Sequence, residues 1–212
     1  MEKKYIHLGY FFLLFIPLVF LGFYKTYFIQ FPTFKHIKHN YTHVHFAIAT
    51  VWVLLIIVQP FLIVNRKIAW HRKLGKLSYI IFPLLILSFI PLVINNLNSD
   101  SPKDAFFPIG DGTLLVLFYS LAIYYRKKST VHMRYMIAAA LVLFGPTVGR
   151  ILPNLLDFGR IATQNIQFAI IQAILIALVL FDMKNKRKYF PYLIAIAGWC
   201  VHQFVFYCLF LF

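Results

Sequence analysis

Four histidines set the chemical question. His71 and His132 stand at the starts of two predicted helices, each beside arginine or lysine, while His45 and His202 lie within apolar stretches. Neutral imidazoles from facing helices are the usual axial ligands of b-type haem, so these four are the candidate ligands for haem b and for electron transfer, with a quinone as a partner. A zinc site is the alternative reading. His45, His202 and Asp111, with His43 as a substitute, would supply three ligands and leave a fourth position for an activated water, as in a zinc-dependent membrane hydrolase. No HExxH motif is present, and these ligands would come from three separate helices. Arg150 offers a third chemistry, the binding or transport of an anionic lipid or metabolite, with Gln59, Trp52, Asn165 and Gln167 as further ligand-binding candidates.

The elements that must position these side chains are long and apolar. The chain of 212 residues is 61% hydrophobic, 19% aromatic and only 13% charged, which places it in a bilayer. A net charge of +15 would ordinarily raise nucleic acid as a partner, but the basic residues cluster between apolar runs and form no stripe on a polar domain. Nucleic acid is therefore set aside. Cys200 and Cys208 sit eight residues apart on one predicted helix, about 12 Å by helical rise and beyond disulfide reach.

Seven stretches are expected to cross roughly 30 Å of hydrocarbon: 8–28, 43–64, 75–95, 108–125, 132–152, 161–181 and 189–210. The first begins like a signal peptide, but Phe20 to Phe28 are too bulky for a cleavage site, so it reads as an uncleaved span. Cytoplasmic loops carry the excess of lysine and arginine. Placing the N-terminus inside puts Lys3, Lys4, Arg66, Lys67, Arg72, Lys73, Lys76, Arg126, Lys127, Lys128, Arg134, Lys184, Lys186, Arg187 and Lys188 in the cytoplasm. These are 15 of the 21 basic residues, and Lys25, Lys35, Lys38, Lys103, Arg150 and Arg160 remain outside. The expectation is an all-α integral membrane bundle of seven transmembrane helices, a single domain over 1–212, with the N-terminus inside and the C-terminus outside. No soluble appendage, linker or fixed-period repeat is visible.

Polar side chains inside such spans face the bundle interior or a cavity and are candidates for function by default. On the second span His45, Trp52 and Gln59 recur every seven residues, with Thr42, Ala49 and Ile56 on the same stripe, and this face should look inward. On the fifth, His132 and Arg150 are 18 residues apart, five turns of a continuous helix, which would place both on one face. Gly145 and Gly149 add a small-xxx-small pattern suited to close packing. The sixth span carries Gln164, Asn165, Gln167 and Gln172, then nothing polar until Asp182. His202 lies deep in the last span, where lipid offers it no partner. Together His43, His45, Asp111, Arg150, Asn165, Gln167 and His202 predict a polar cavity in the outer half.

The run from His45 to Gln59, the segment His71-Arg72-Lys73-Leu74-Gly75, and His132 to Met136 leading to Arg150 resemble an uncharacterised bacterial multi-pass membrane family, a domain of unknown function. The likeness covers roughly 43–152. Its most specific part is His-Arg-x-Leu-Gly; Tyr135 stands where a tryptophan is expected before the last methionine. A more distant likeness is to cytochrome b561-type bundles, in which histidines recur at helix ends. The resemblance implies a multi-pass protein of the bacterial cytoplasmic (inner) membrane and brings no activity with it. A non-catalytic accessory subunit of a larger membrane complex is the remaining expectation.

Overall fold

The computed structural model describes residues 5–35, 37 and 39–211; Lys3, Lys4 and Lys38, which enter the charge count, lie outside the described residues. Regular structure among the described residues is helical throughout. In chain order the helices are α1 (Leu8–Leu13), α2 (Phe15–Tyr24), α3 (Asn40–Val64), α4 (Ile68–Leu97), α5 (Phe106–Tyr124), α6 (Ser129–Leu141), α7 (Phe144–Leu156), α8 (Arg160–Lys184) and α9 (Phe190–Phe210). Single 3-10 turns occur at Phe28–Gln30 and Pro102–Ala105.

Among the described residues six stretches are long and apolar enough to cross a membrane: Asn40–Val64, Ile68–Leu97, Pro102–Tyr124, Ser129–Leu156, Arg160–Lys184 and Phe190–Phe210. The chain is a multi-pass membrane protein. The stretch expected as a first crossing is shorter, an apolar Leu8–Tyr24 broken at Leu14. Its helical rise reaches about 25 Å, less than the roughly 30 Å of hydrocarbon.

Proline explains two interruptions by one rule. Pro17 is the third residue of α2 and Pro146 the third residue of α7, positions where a helix needs no backbone N–H. Proline offers no hydrogen to the carbonyl four residues back, a gap that α3 and α4 absorb without a break at Pro60, Pro83 and Pro91. At the second break the Val142 carbonyl instead accepts from Gly145 N–H at 3.0 Å, and Leu143 N–H donates to Ala140 at 3.1 Å. The expected continuous helix from His132 to Arg150 is interrupted in its hydrogen bonding at Val142 and Leu143. Both residues keep helical dihedrals, and Ser129–Leu156 remains one stretch long enough to span.

The turns after α3 and α8 share a design. Arg66 and Lys186 adopt the left-handed conformation usually given to glycine, with φ of 57° and 54°. Lys67 N–H bonds the Leu62 carbonyl at 2.8 Å, and Arg187 N–H bonds the Asp182 carbonyl at 2.9 Å. These six-to-one bonds satisfy orphan carbonyls, and the cationic side chains sit where the helix dipole is negative.

The chain forms two compact units, one ending at Ser99 and the other beginning at Asp100. In the first, α3 and α4 make an antiparallel hairpin with a legible register. His45 meets Ser88, Trp52 packs on Phe82 with ring centroids 5.3 Å apart, and Gln59 reaches His71 and Gly75. The seven-residue stripe of α3 does face inward, onto α4, and Trp52 and Ile56 are buried on it. Helix α1 joins through Gly9, where a methyl group would lie 2.9 Å from the Phe61 ring.

In the second unit α5 to α9 pack around buried Tyr135, Phe168, Ile171, Leu175, Tyr192, Trp199 and Phe206. One end is pinned by Arg134 of α6 and Asp182 of α8, both fully buried. Arg134 Nε donates to Oδ2 at 2.6 Å and Nη2 to Oδ1 at 2.9 Å, while Nη1 bonds the Thr130 carbonyl at 2.7 Å. Ties at the other end are more exposed: Arg160 to Asp104 at 3.0 Å, and Lys103 Nζ to the Leu209 carbonyl at 2.7 Å. Opposite ends of α8 thus meet opposite ends of the unit, as successive crossings require.

Candidate functional site

Helices α5, α7, α8 and α9 bring polar side chains together within the second unit. Asp111 stands in the second turn of α5, and His202 of α9 places Nε2 at 3.5 Å from its Oδ1. His202 is 5% exposed, and its ring is walled by Phe106, Trp199 and Phe168, with centroids at 4.6, 5.2 and 5.7 Å. Counting residues to the nearest helix end puts His202 about 12 Å, and Asp111 about 8 Å, in from the end that carries Asp104 and Arg160.

Two glycines make room for this pair. A methyl group at Gly110 would stand 2.5 Å from His202 Nε2, and one at Gly145 would stand 2.6 Å from Asp111 Oδ2. No side chain fits at either place while imidazole and carboxylate keep their positions. One turn beyond Gly145, Gly149 faces Gln167 Oε1 and Gln164 Nε2, which a methyl group would approach to 3.4 and 3.8 Å. The small-residue pattern on α7 thus admits two polar groups of other helices as well as close packing.

Arg150 follows directly. Its Nη1 donates to the Pro146 carbonyl at 2.8 Å, and the Asp111 carboxylate acts on it electrostatically. Of the two acids expected as partners, Asp111 is the one that couples; Asp157 is exposed at the left-handed end of α7.

The proton positions on His202 follow from its surroundings. A neutral ring facing a carboxylate through Nε2 carries its hydrogen there, since a lone pair would be repelled. Nδ1 is then left with a lone pair. Neither nitrogen has an aligned hydrogen bond, and the carbonyl oxygens of Gln164 and Gln167 also lack a donor among the described residues. Native interiors rarely leave such atoms unsatisfied, so the cluster calls for a bound guest or ordered water.

The other expected ligands have other partners. Ser88 Oγ gives its one hydrogen to the Leu85 carbonyl at 2.6 Å, so His45 Nδ1, 2.8 Å away, donates to Ser88 and Nε2 carries the lone pair. His132 Nδ1 likewise donates, to the Ala122 carbonyl at 2.7 Å. His71 differs. With the Gln59 amide turned to satisfy both its ends, its nitrogen donates to His71 Nδ1 and its oxygen accepts from Gly75 N–H at 3.1 Å, so the His71 proton is on Nε2. His43 is bonded to the Tyr27 hydroxyl at 2.8 Å. Asn165 is exposed and accepts from Tyr207 at 2.6 Å, in a ladder that continues through Gln203 to Gln172. Trp52 is core.

Of the candidate zinc set, Asp111 and His202 meet, and His45 belongs to the first unit with Ser88 as its partner. Among the described residues no three His, Cys, Asp or Glu side chains form a group that would hold a metal ion. Sequence reasoning missed the Arg134–Asp182 pair and the roles of Gly110 and Gln164. The available signal was a basic and an acidic residue, each inside an otherwise apolar span. No family model, curated protein or solved structure matches the chain.

Proposed function

We propose that this multi-pass membrane protein works through an intramembrane acid–base site, in which Asp111 and His202 take up and release a proton as a small solute binds or crosses. The observation that carries the reading is the 3.5 Å approach of His202 Nε2 to Asp111 Oδ1 at positions shielded from water. Ionisable residues at such depth recur in proton relays and substrate pathways. Protonation of Nδ1 converts a neutral ring beside a carboxylate into an ion pair. At this separation and an effective dielectric near 20, that attraction is worth about 4 to 5 kcal/mol, comparable with the several kcal/mol that burying each charge costs. Neither term dominates, so a bound solute that changes the local hydration can tip the balance. Arg150 lies within electrostatic reach of the same carboxylate.

The test is pH-jump infrared difference spectroscopy on purified protein. Imidazole and carboxylate bands are expected to change together, and both changes should vanish in Asp111→Asn and in His202→Gln. An imidazole band that titrates unchanged in Asp111→Asn sinks the coupled pair.

A second reading keeps haem b, on a specific observation. His132 gives Nδ1–H to a backbone carbonyl and presents the Nε2 lone pair, the tautomer and support usual for metal-bound imidazole. An absorbance spectrum of the same preparation decides: a reducible b-type Soret band lost in His132→Ala supports haem, and colourless protein from haem-replete cells eliminates it.

From the charge division we infer that the Asp104–Arg160 end faces outside and the Arg134–Asp182 end the cytoplasm of a bacterial inner membrane. A reporter joined after Asp104 is expected to read outside and one after Lys128 inside; the reverse pattern overturns this orientation.

A further inference from the structure

We infer that Gln164 and Gln167 form a subsite on the Gly145–Gly149 face of α7 for a small uncharged solute rich in hydroxyl or amide hydrogens. The inference rests on reading Asp111 and His202 as the functional pair and names the chemistry of what lies beside them. Gln164 is 6% and Gln167 2% exposed, and both carbonyl oxygens lack a donor among the described residues. On α8 these residues are three apart, so they share one face, and both amides reach Gly149 of α7. Asp111 meets Gly145 one turn earlier. Side-chain directions on a helix put positions four apart within about 6 Å, so the two amides and the carboxylate flank one short strip of α7 backbone.

Among the atoms in need are donors, Trp199 Nε1 beside His202 and His202 Nε2 itself, and acceptors. Gln164 Oε1, Gln167 Oε1 and His202 Nδ1 each present a lone pair, so a guest that satisfies them must bring hydrogens. An anion brings no hydrogen to the two amide oxygens. Charge decides between the remaining guests. Asp111 is already coupled to Arg150, and with a neutral imidazole the site sums to zero. An ammonium ion would add an uncompensated charge to a buried place, whereas a polyol or urea-like amide supplies donors without charge.

Saturation-transfer NMR of the full-length protein in detergent, with urea and glycerol as neutral probes and methylammonium as the charged one, tests this. Transfer is expected to urea and glycerol and to be absent for methylammonium. Gln164→Met and Gln167→Met, which keep length and lose the carbonyl, should each weaken binding about tenfold. Infrared spectra of the same variants should retain the paired Asp111 and His202 bands. That retention separates the two ideas: lost solute binding with intact bands confirms the subsite, and intact binding with lost bands removes the proton reading alone. Equal transfer in wild type and both Met variants overturns the subsite, as does preferential transfer to methylammonium. So does an absence of transfer to every probe, which would leave water as the guest of these amides.

Discussion

Replacing Arg134 by methionine is expected to destabilise the protein by about 3 to 5 kcal/mol, because it strands the fully buried Asp182 carboxylate. Both bonds of the guanidinium fork are lost together, and so is the bond to the Thr130 carbonyl that fastens the first turn of α6. Lysine should rescue little. Its ammonium is a point charge that cannot face two carboxylate oxygens in the plane of a fork. Asp182→Asn keeps shape and loses charge, so it should fall between wild type and Arg134→Met. The double variant Arg134→Met/Asp182→Leu should recover much of the loss, since an apolar pair of similar volume removes the desolvation penalty together with the attraction. Thermal or denaturant unfolding in detergent reads these values, and a double-mutant cycle isolates the coupling. Small and strictly additive shifts would show that the pair does not hold α6 to α8.

Gly145→Ala is expected to disable the site while costing about 1 to 3 kcal/mol of stability, the range for an extra methyl forced into a packed interior. The new carbon would stand 2.6 Å from Asp111 Oδ2, so the carboxylate must swing away and its contact with His202 must open. Coupled infrared changes should therefore disappear even though no titrating group has been altered. Gly110→Ala should do the same from the other side, by displacing the imidazole. Gly75→Ala in α4 is the contrasting case: its nearest neighbour is the Gln59 amide at 4.0 Å, an ordinary contact. There alanine should stabilise by about 0.5 to 1 kcal/mol through lower backbone entropy in the unfolded chain. If Gly145→Ala and Gly75→Ala behave alike, the packing around Asp111 is looser than its geometry implies.

Much of the frame can be read without coordinates. Runs of twenty apolar residues have one use in water-poor surroundings, so six crossings were legible from length and hydropathy. The inward stripe His45, Trp52, Gln59 was legible too, because a period of seven residues keeps one face toward one neighbour. The leading stretch was less so. Its composition matches that of a span, but Pro17 divides it, and an apolar count does not register a missing N–H. Pro146 hid in the same way, and with it the interruption between α6 and α7.

Tertiary structure decided which polar residues meet. Asp111, Gly145, Gln167 and His202 come from four helices separated by up to 91 positions, and no local period links them. Whether His202 faces a carboxylate, a metal or another helix depends on rotation and depth of α9 against α5, which packing of Phe106, Phe168 and Trp199 sets. The same holds for Arg134, a loop cation by sequence and the centre of a buried ion pair in the fold. Local chemistry alone determined that the chain lives in a bilayer and which faces of its hairpins turn inward, since both follow from hydration cost and helical period. Pairing across helices is a matter of three-dimensional register, so only the tertiary structure could choose Asp111 for His202 and Asp182 for Arg134.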